Sequence, residues 1–213
     1  HPPNRIVGAI YILLFLWAAV KQVISIKDRW QLVLFTFFAI AITFSSGSDA
    51  WDARSIWLFH AKKIFYDNSL YAQLDNYGHS HSDYPVLMPA LSATLGKIIG
   101  TWNEVYPKSA SLFFIIPVLV ISVAVLAYST GSIVYLVAVV YFSGAHLLDG
   151  YVDGILALYV SAYCLLLLDI NEAKSSTKLD KLFFLALLVI LTIITLLKNE
   201  GFFIAFFLMM VTT

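Results

Sequence analysis

Long stretches without charge set the main constraint on this chain. WQLVLFTFFAIAITF, Trp30 to Phe44, is fifteen residues without one ionisable group. Other predominantly apolar segments lie at 6–24, 110–128, 133–148, 155–170 and 182–197, and one more begins at Phe202. Such segments read as membrane-spanning helices, which usually need about 20 apolar residues; the shorter ones recruit flanking Tyr, Trp and Ser. Composition agrees with this. Of 213 residues, 61% are hydrophobic and 12% are charged, with a mean hydropathy of +0.85. Soluble domains carry about 25% charged residues. The expected fold class is all-α, a polytopic transmembrane helical bundle forming a single domain over 1–213.

Smaller signals narrow the reading. A formal net charge of zero gives no sign of a nucleic-acid partner. The single cysteine, Cys164, lies in an apolar run, cannot form an internal disulfide, and is expected to be buried. Segment 6–24 carries Lys21 near its end and is followed by Lys27 and Arg29, not by a small-residue cleavage site, so it reads as a retained helix. The chain starts at His1 and stops inside an apolar run, so it reads as a piece truncated at its C-terminus.

Sidedness turns on VLMPALSATLGKIIG, Val86 to Gly100, which is apolar but short and contains Pro89 and Lys97. If it does not span, two basic loops share one side: Lys21, Lys27 and Arg29, and Lys174, Lys178 and Lys181. That side is the cytoplasm. The loop from about 45 to 108, Asp149 and Asp153, and KNEG (Lys198 to Gly201) then all face outside. If it spans, the second basic loop moves outside and the acidic loops part company. The first solution satisfies the positive-inside rule twice and is adopted.

The outer loop opens with SSGSDAWD, Ser45 to Asp52, and continues as an amphipathic helix. At 100° per residue, Trp51, Ala53, Trp57, Leu58, Ala61, Ile64 and Phe65 share one half. Asp52, Ser55, His60, Lys62, Lys63, Tyr66 and Asp67 share the other, while Arg54, Ile56 and Phe59 break the pattern. This predicts a helix on the membrane surface with tryptophans at headgroup level. Helix capping explains Asp49 or Asp52, but not both. His79, His81 and Asp83 form a weak metal-ligand pattern in a polar loop. Asp149 and Asp153 each precede a Gly, which is also ordinary turn chemistry. LLKNEG interrupts about thirty apolar residues with Lys198 and Glu200, and ionisable groups in that setting are functional candidates. Glu200 could pair with Lys198 or with Arg54.

Four stretches in this order resemble a known family: SDAWDARSIWLFHAK (Ser48 to Lys62), HSDYPVLMPAL (His81 to Leu91), GYVDGILALY (Gly150 to Tyr159) and LLKNEG (Leu196 to Gly201). They resemble the GT-C superfamily of polyprenyl-phosphate-sugar glycosyltransferases, in particular the bacterial protein O-mannosyltransferase and aminoarabinose-transferase branch. The resemblance covers most of the chain from Trp30 onward, and the order carries it more than any single motif. It implies an outer-loop carboxylate, Asp52 or Asp49, as catalytic base. It implies Asp153 as the second-loop aspartate and Lys198 near the leaving phosphate. Arg54, Glu200, His81 and Asp83 complete the expected substrate-binding set. Two departures stand out: Asn199 and Glu200 intervene between Lys198 and Gly201, and Asp49 and Asp52 are three apart instead of adjacent. The implied partners are a sugar on a polyprenyl phosphate, the bilayer, and a hydroxyl of a glycan, lipid or protein. No cofactor is required by this reading, and a divalent metal is an open alternative. The implied location is the bacterial plasma membrane with the active site outside. Two rivals are a catalytically silent scaffold subunit of the same architecture and a small-solute transporter.

Overall fold

The computed structural model describes residues 50–70, 81–127, 129–172 and 177–212, with single positions 33, 36, 37 and 40. Segment 6–24, nearly all of 30–44, Asp49 and His79 lie outside the described residues. Among the described residues every regular element is a helix and no strand occurs.

The first is a π-turn, Ala53–Trp57, running into α1, Leu58–Asp67. Asn68 ends α1 with φ 55°, a left-handed conformation that Asn tolerates. Helix α2, Leu87–Ile99, stops at Gly100 with φ 92°. Its 13 residues reach about 20 Å, short of the ~30 Å apolar core of a bilayer. That length agrees with a segment that does not span. It packs instead on α1, and Gly96 permits the close approach: a Cβ there would sit 3.1 Å from the Phe65 ring.

A short helix α3, Val105–Lys108, and a 3₁₀ turn, Ser109–Ser111, lead into α4, Leu112–Val125. Asn103 Oδ1 caps this start by accepting the N–H groups of Val105 and Tyr106, both at 3.0 Å. The stretch Val105–Val125, 21 residues, is the one helical segment among the described residues long and apolar enough to cross a membrane. Then come α5, Thr130–Leu148; α6, Asp153–Glu172; α7, Thr177–Leu197; and α8, Asn199–Thr212. Apolar runs expected at 133–148, 155–170 and 182–197 and from 202 thus all become helices, extended by two to five residues at their N-terminal ends.

Helix α6 is the hub. It packs on α4, α5 and α7 through Ile155, Tyr159, Ala162 and Leu166, a stripe at helical spacing. Hydrogen bonds add direction to this greasy core. The Tyr159 hydroxyl donates to Phe114 O at 3.1 Å, and Tyr163 donates to Leu208 O at 3.4 Å. Tyr135 of α5 reaches Ser161 of α6 at 2.8 Å and Ser122 of α4 at 3.3 Å. Such bonds pair polar side chains within an apolar interior. Between α7 and α8 there is only Lys198, and α8 folds back onto α7.

Two sequence expectations are corrected here. Cys164 is exposed, not buried. It shares the outer face of α6 with Leu168, opposite the packing stripe. Both faces of α6 are apolar, so apolarity did not mark the inside. The second correction concerns the helix from Trp51. Ala53, Trp57, Leu58, Ala61 and Ile64 of the expected apolar half are buried, but His60 and Ile56 are buried with them and Trp51 is 63% exposed. His60 was expected on the polar half and Trp57 at headgroup level. The buried arc of α1 is thus wider than the apolar half of the wheel, not displaced from it.

Candidate functional site

The break after α7 gathers three distant segments. Lys198 Nζ donates to Asp153 Oδ1 at 2.8 Å, joining the α7–α8 junction to the first turn of α6. Asn199 Nδ2 donates to Asp83 Oδ2 at 2.6 Å, joining the same junction to the loop before α2. Glu200 Oε1 lies 3.7 Å from Lys198 Nζ. The Lys198 ammonium also sits 5.8 Å from the centre of the Tyr84 ring. That ring stacks on Trp57 at 5.4 Å and on His81 at 4.9 Å. The sequence placed Asp83, Asp153, Lys198, Glu200 and His81 among its candidates, and the fold brings all five into one cluster.

Burial and charge in the cluster are uneven. Lys198 is 15% exposed, while Asp153 and Glu200 are 50% and 56% exposed. One ammonium thus faces two carboxylates, Asp153 and Glu200, while Asp83 is held by Asn199. Burial pushes the Lys198 pKa down, but the hydrogen bond and charge of Asp153, then Glu200 and Tyr84, outweigh it and raise the value above 10.5. Burial raises the Tyr84 phenol, Lys198 opposes, and the charges of Glu200, Asp83 and Asp153 add to the rise. At neutral pH Lys198 is therefore a cation and Tyr84 a neutral hydroxyl that can donate.

A raised lysine pKa fixes the sign of a pH effect. The stabilisation from Lys198 is complete below its unfolded value of 10.5 and is lost as pH climbs through the higher folded value. The melting-point difference between wild type and Lys198→Met should therefore hold steady from about pH 6 to about pH 9 and shrink only above about 10.5. A difference already gone by about pH 8 would refute the pairing.

Asp52 stands one turn before Trp57. Its backbone is helical (φ −63°, ψ −36°) and its side chain makes no capping hydrogen bond, so capping does not account for it. Ala53 beside it is fully buried against Gly150. A Cβ at Gly150 would lie 3.0 Å from Ala53 Cβ, and φ of +100° there also demands glycine. The π-turn thus touches the Asp149–Asp153 turn at one end and Tyr84 at the other. No hydrogen bond or ion pair joins Asp52 or Arg54 to the Lys198 cluster among the described residues. Arg54 and Lys62 are exposed on the helix. Asp149 has the turn role: its Oδ1 accepts the Tyr151 N–H at 3.1 Å, and its Oδ2 lies 3.3 Å from His146 Nδ1.

Among the described residues no three His, Cys, Asp or Glu side chains converge as a metal site. Sequence reasoning missed Tyr84, whose only signal was its place inside the HSDYP stretch. Asn199 was noted as an interruption, not as the residue that ties Asp83 to the junction. Lys108 was taken as a loop boundary, yet it is 1% exposed. Comparison with protein-family models, curated protein sequences and solved structures finds no match to this chain.

Proposed function

We propose that this chain is the helical membrane part of a glycosyltransferase that moves a sugar from a polyprenyl phosphate to an acceptor hydroxyl. The observation that carries the reading is the cluster itself. Asp83, Asp153, Lys198, Asn199 and Glu200 come from three segments and meet at the ends of apolar helices. A donor whose lipid lies in the bilayer presents its sugar at that depth. Helices α5, α7 and α8 add support, because they present outer faces of Val134, Tyr141, Phe142, Phe184, Phe203 and Phe207. Exposed apolar area on that scale suits lipid better than water. In this reading α4 to α8 all span, and the cluster faces outside.

In the proposed reaction the acceptor oxygen attacks the anomeric carbon. Asp52 or Asp49 takes its proton. The bond from the anomeric carbon to the phosphate oxygen breaks, its electron pair leaves with the polyprenyl phosphate, and the sugar inverts. Carboxylates at Asp153 and Glu200 suit sugar hydroxyls as acceptors. Arg54, with Lys198, supplies positive charge for the departing phosphate. A transporter would set its charges near mid-depth of its helices. Here they sit at helix ends.

Two measurements test this reading. In the complete protein in proteoliposomes, with a polyprenyl-phosphate sugar as donor, Asp52→Asn or Asp49→Asn should cut transfer at least ~100-fold. Full activity in both variants would remove the base assignment, and absence of transfer by the wild type would favour the scaffold reading. For sidedness, Cys164 is replaced by Ala and single cysteines are placed at Ser82, Tyr151, Glu200 or Ser175. A membrane-impermeant maleimide should label the first three from outside and Ser175 only after permeabilisation. Labelling of Tyr151 from inside alone would mean that Val86–Gly100 spans, and the outward-facing composite site would be lost.

A further inference from the structure

Lys108 is a charged side chain in a place that costs energy. It is 1% exposed, at the head of the one helical segment among the described residues that is long and apolar enough to cross a membrane. An ammonium taken out of water must be paired, or it destabilises the protein by several kcal/mol. Its surroundings are specific. Lys108 Cγ lies 3.7 Å from where a Gly150 Cβ would be, and Ala53 Cβ lies 3.0 Å from the same point. Three segments therefore meet there: the π-turn, the turn between α5 and α6, and the α3–α4 junction. Ala53 follows Asp52, and Gly150 follows Asp149. The buried lysine stem stands where the residues that follow Asp52 and Asp149 touch each other.

We propose that Lys108 is a positioning residue: its buried charge holds the acidic start of the π-turn against the Asp149–Gly150 turn, and so sets where the Asp52 segment stands relative to Asp153 and Lys198. Gly150 serves the same junction, since a side chain there would part Ala53 from the turn. The role does not require Lys108 to meet substrate. Its effect on transfer rests on the glycosyltransferase reading, whereas its effect on folding does not.

The experiment is a charge-pair cycle in the complete protein. Lys108→Met should lower the melting midpoint by about 10 °C, because removing one member of a desolvated charge pair is strongly destabilising. Adding Asp52→Asn, Asp49→Asn or Asp149→Asn in turn should restore at least half of that drop for one of the three, since removing both members of a pair is far milder than removing one. Lys108→Arg keeps the charge and should retain most of the midpoint. In the transfer assay Lys108→Met should lower kcat at least ~30-fold with donor KM within about threefold, because position and not binding is lost. Lys108→Arg should recover part of the kcat. Three results would each overturn the proposal: a Lys108→Met midpoint equal to wild type, no restoration by any carboxamide, or a loss confined to KM. Should wild type show no transfer while the midpoint cycle still couples, the enzymatic reading fails and the positioning role stands. Should Lys108→Met not fold, the double variants and Lys108→Arg decide the question through their midpoints.

Discussion

Gly201→Ala is expected to be the most damaging single methyl group that can be added to this protein. A Cβ at Gly201 would lie 1.9 Å from the carbonyl oxygen of Ile194 and 2.8 Å from its carbon. Both are backbone atoms of α7, so no side chain can swing away to make room. Overpacking a core usually costs about 1–3 kcal/mol. Against a fixed carbonyl we expect about 4 kcal/mol, a fall of roughly 10 °C in melting midpoint for a chain of this size. The damage extends beyond stability. Gly201 adjoins Glu200 and lies two residues from Asn199, so prying α8 off α7 also pulls Asn199 from Asp83 and Lys198 from Asp153. Under the proposed function, transfer should vanish with the midpoint. Gly131→Ala is the control: its Cβ would meet only the Ser129 hydroxyl, at 3.2 Å. In a helix that change should be neutral or stabilising by up to about 1 kcal/mol. Equal midpoints for wild type and Gly201→Ala would show that the α7–α8 hairpin is not packed as described.

Lys198→Met should have the largest effect on activity with the smallest effect on folding. It removes the one ammonium facing Asp153 and Glu200 and leaves like charges beside each other. Both carboxylates are about half exposed, so water screens them and the stability loss should stay near 1 kcal/mol. Under the proposed chemistry, kcat/KM for sugar transfer should fall by about 10²–10³-fold, the usual result of deleting one preorganised charge partner. Lys198→Arg should not rescue fully, because a planar guanidinium cannot make the same short contact to Asp153 while lying against the Tyr84 ring. An unchanged kcat/KM in Lys198→Met would exclude this cluster from the chemistry, whatever the fold.

The limits of sequence reading are clearest at α1. A wheel with constant rotation predicts the surface of an ordinary helix. Ala53–Trp57 is a π-turn, yet Ala53, Trp57, Leu58, Ala61 and Ile64 are all buried as the wheel placed them, and only Trp51 of that side is fully turned out. His60 was expected on the polar face and is fully buried, for the reason that α1 is covered over a wider arc than its apolar half. Cys164 fails for a different one. In a chain where inner and outer faces are both apolar, periodicity loses the contrast that makes it informative. Lys108 fails for a third: a lysine beside Tyr and Pro looks like a loop cation until the segments that bury it are in place.

What this sequence determines by itself is local. Runs free of charge fix where helices form, since length and apolarity are properties of a segment and not of its neighbours. The interruptions in those runs, at Asp52, Asp83, Asp153 and Lys198, mark which residues are out of keeping with their surroundings. The tertiary structure alone decided which of them meet. Lys198 finds Asp153 across 45 residues and Asn199 finds Asp83 across 116. It also separated Asp149, spent on its own turn, from Asp153, which reaches across to α7. The physical reason is range. Helix propensity and hydrophobic length act over a few residues, whereas a hydrogen bond between two loops depends on every packing contact that brings the helix ends together.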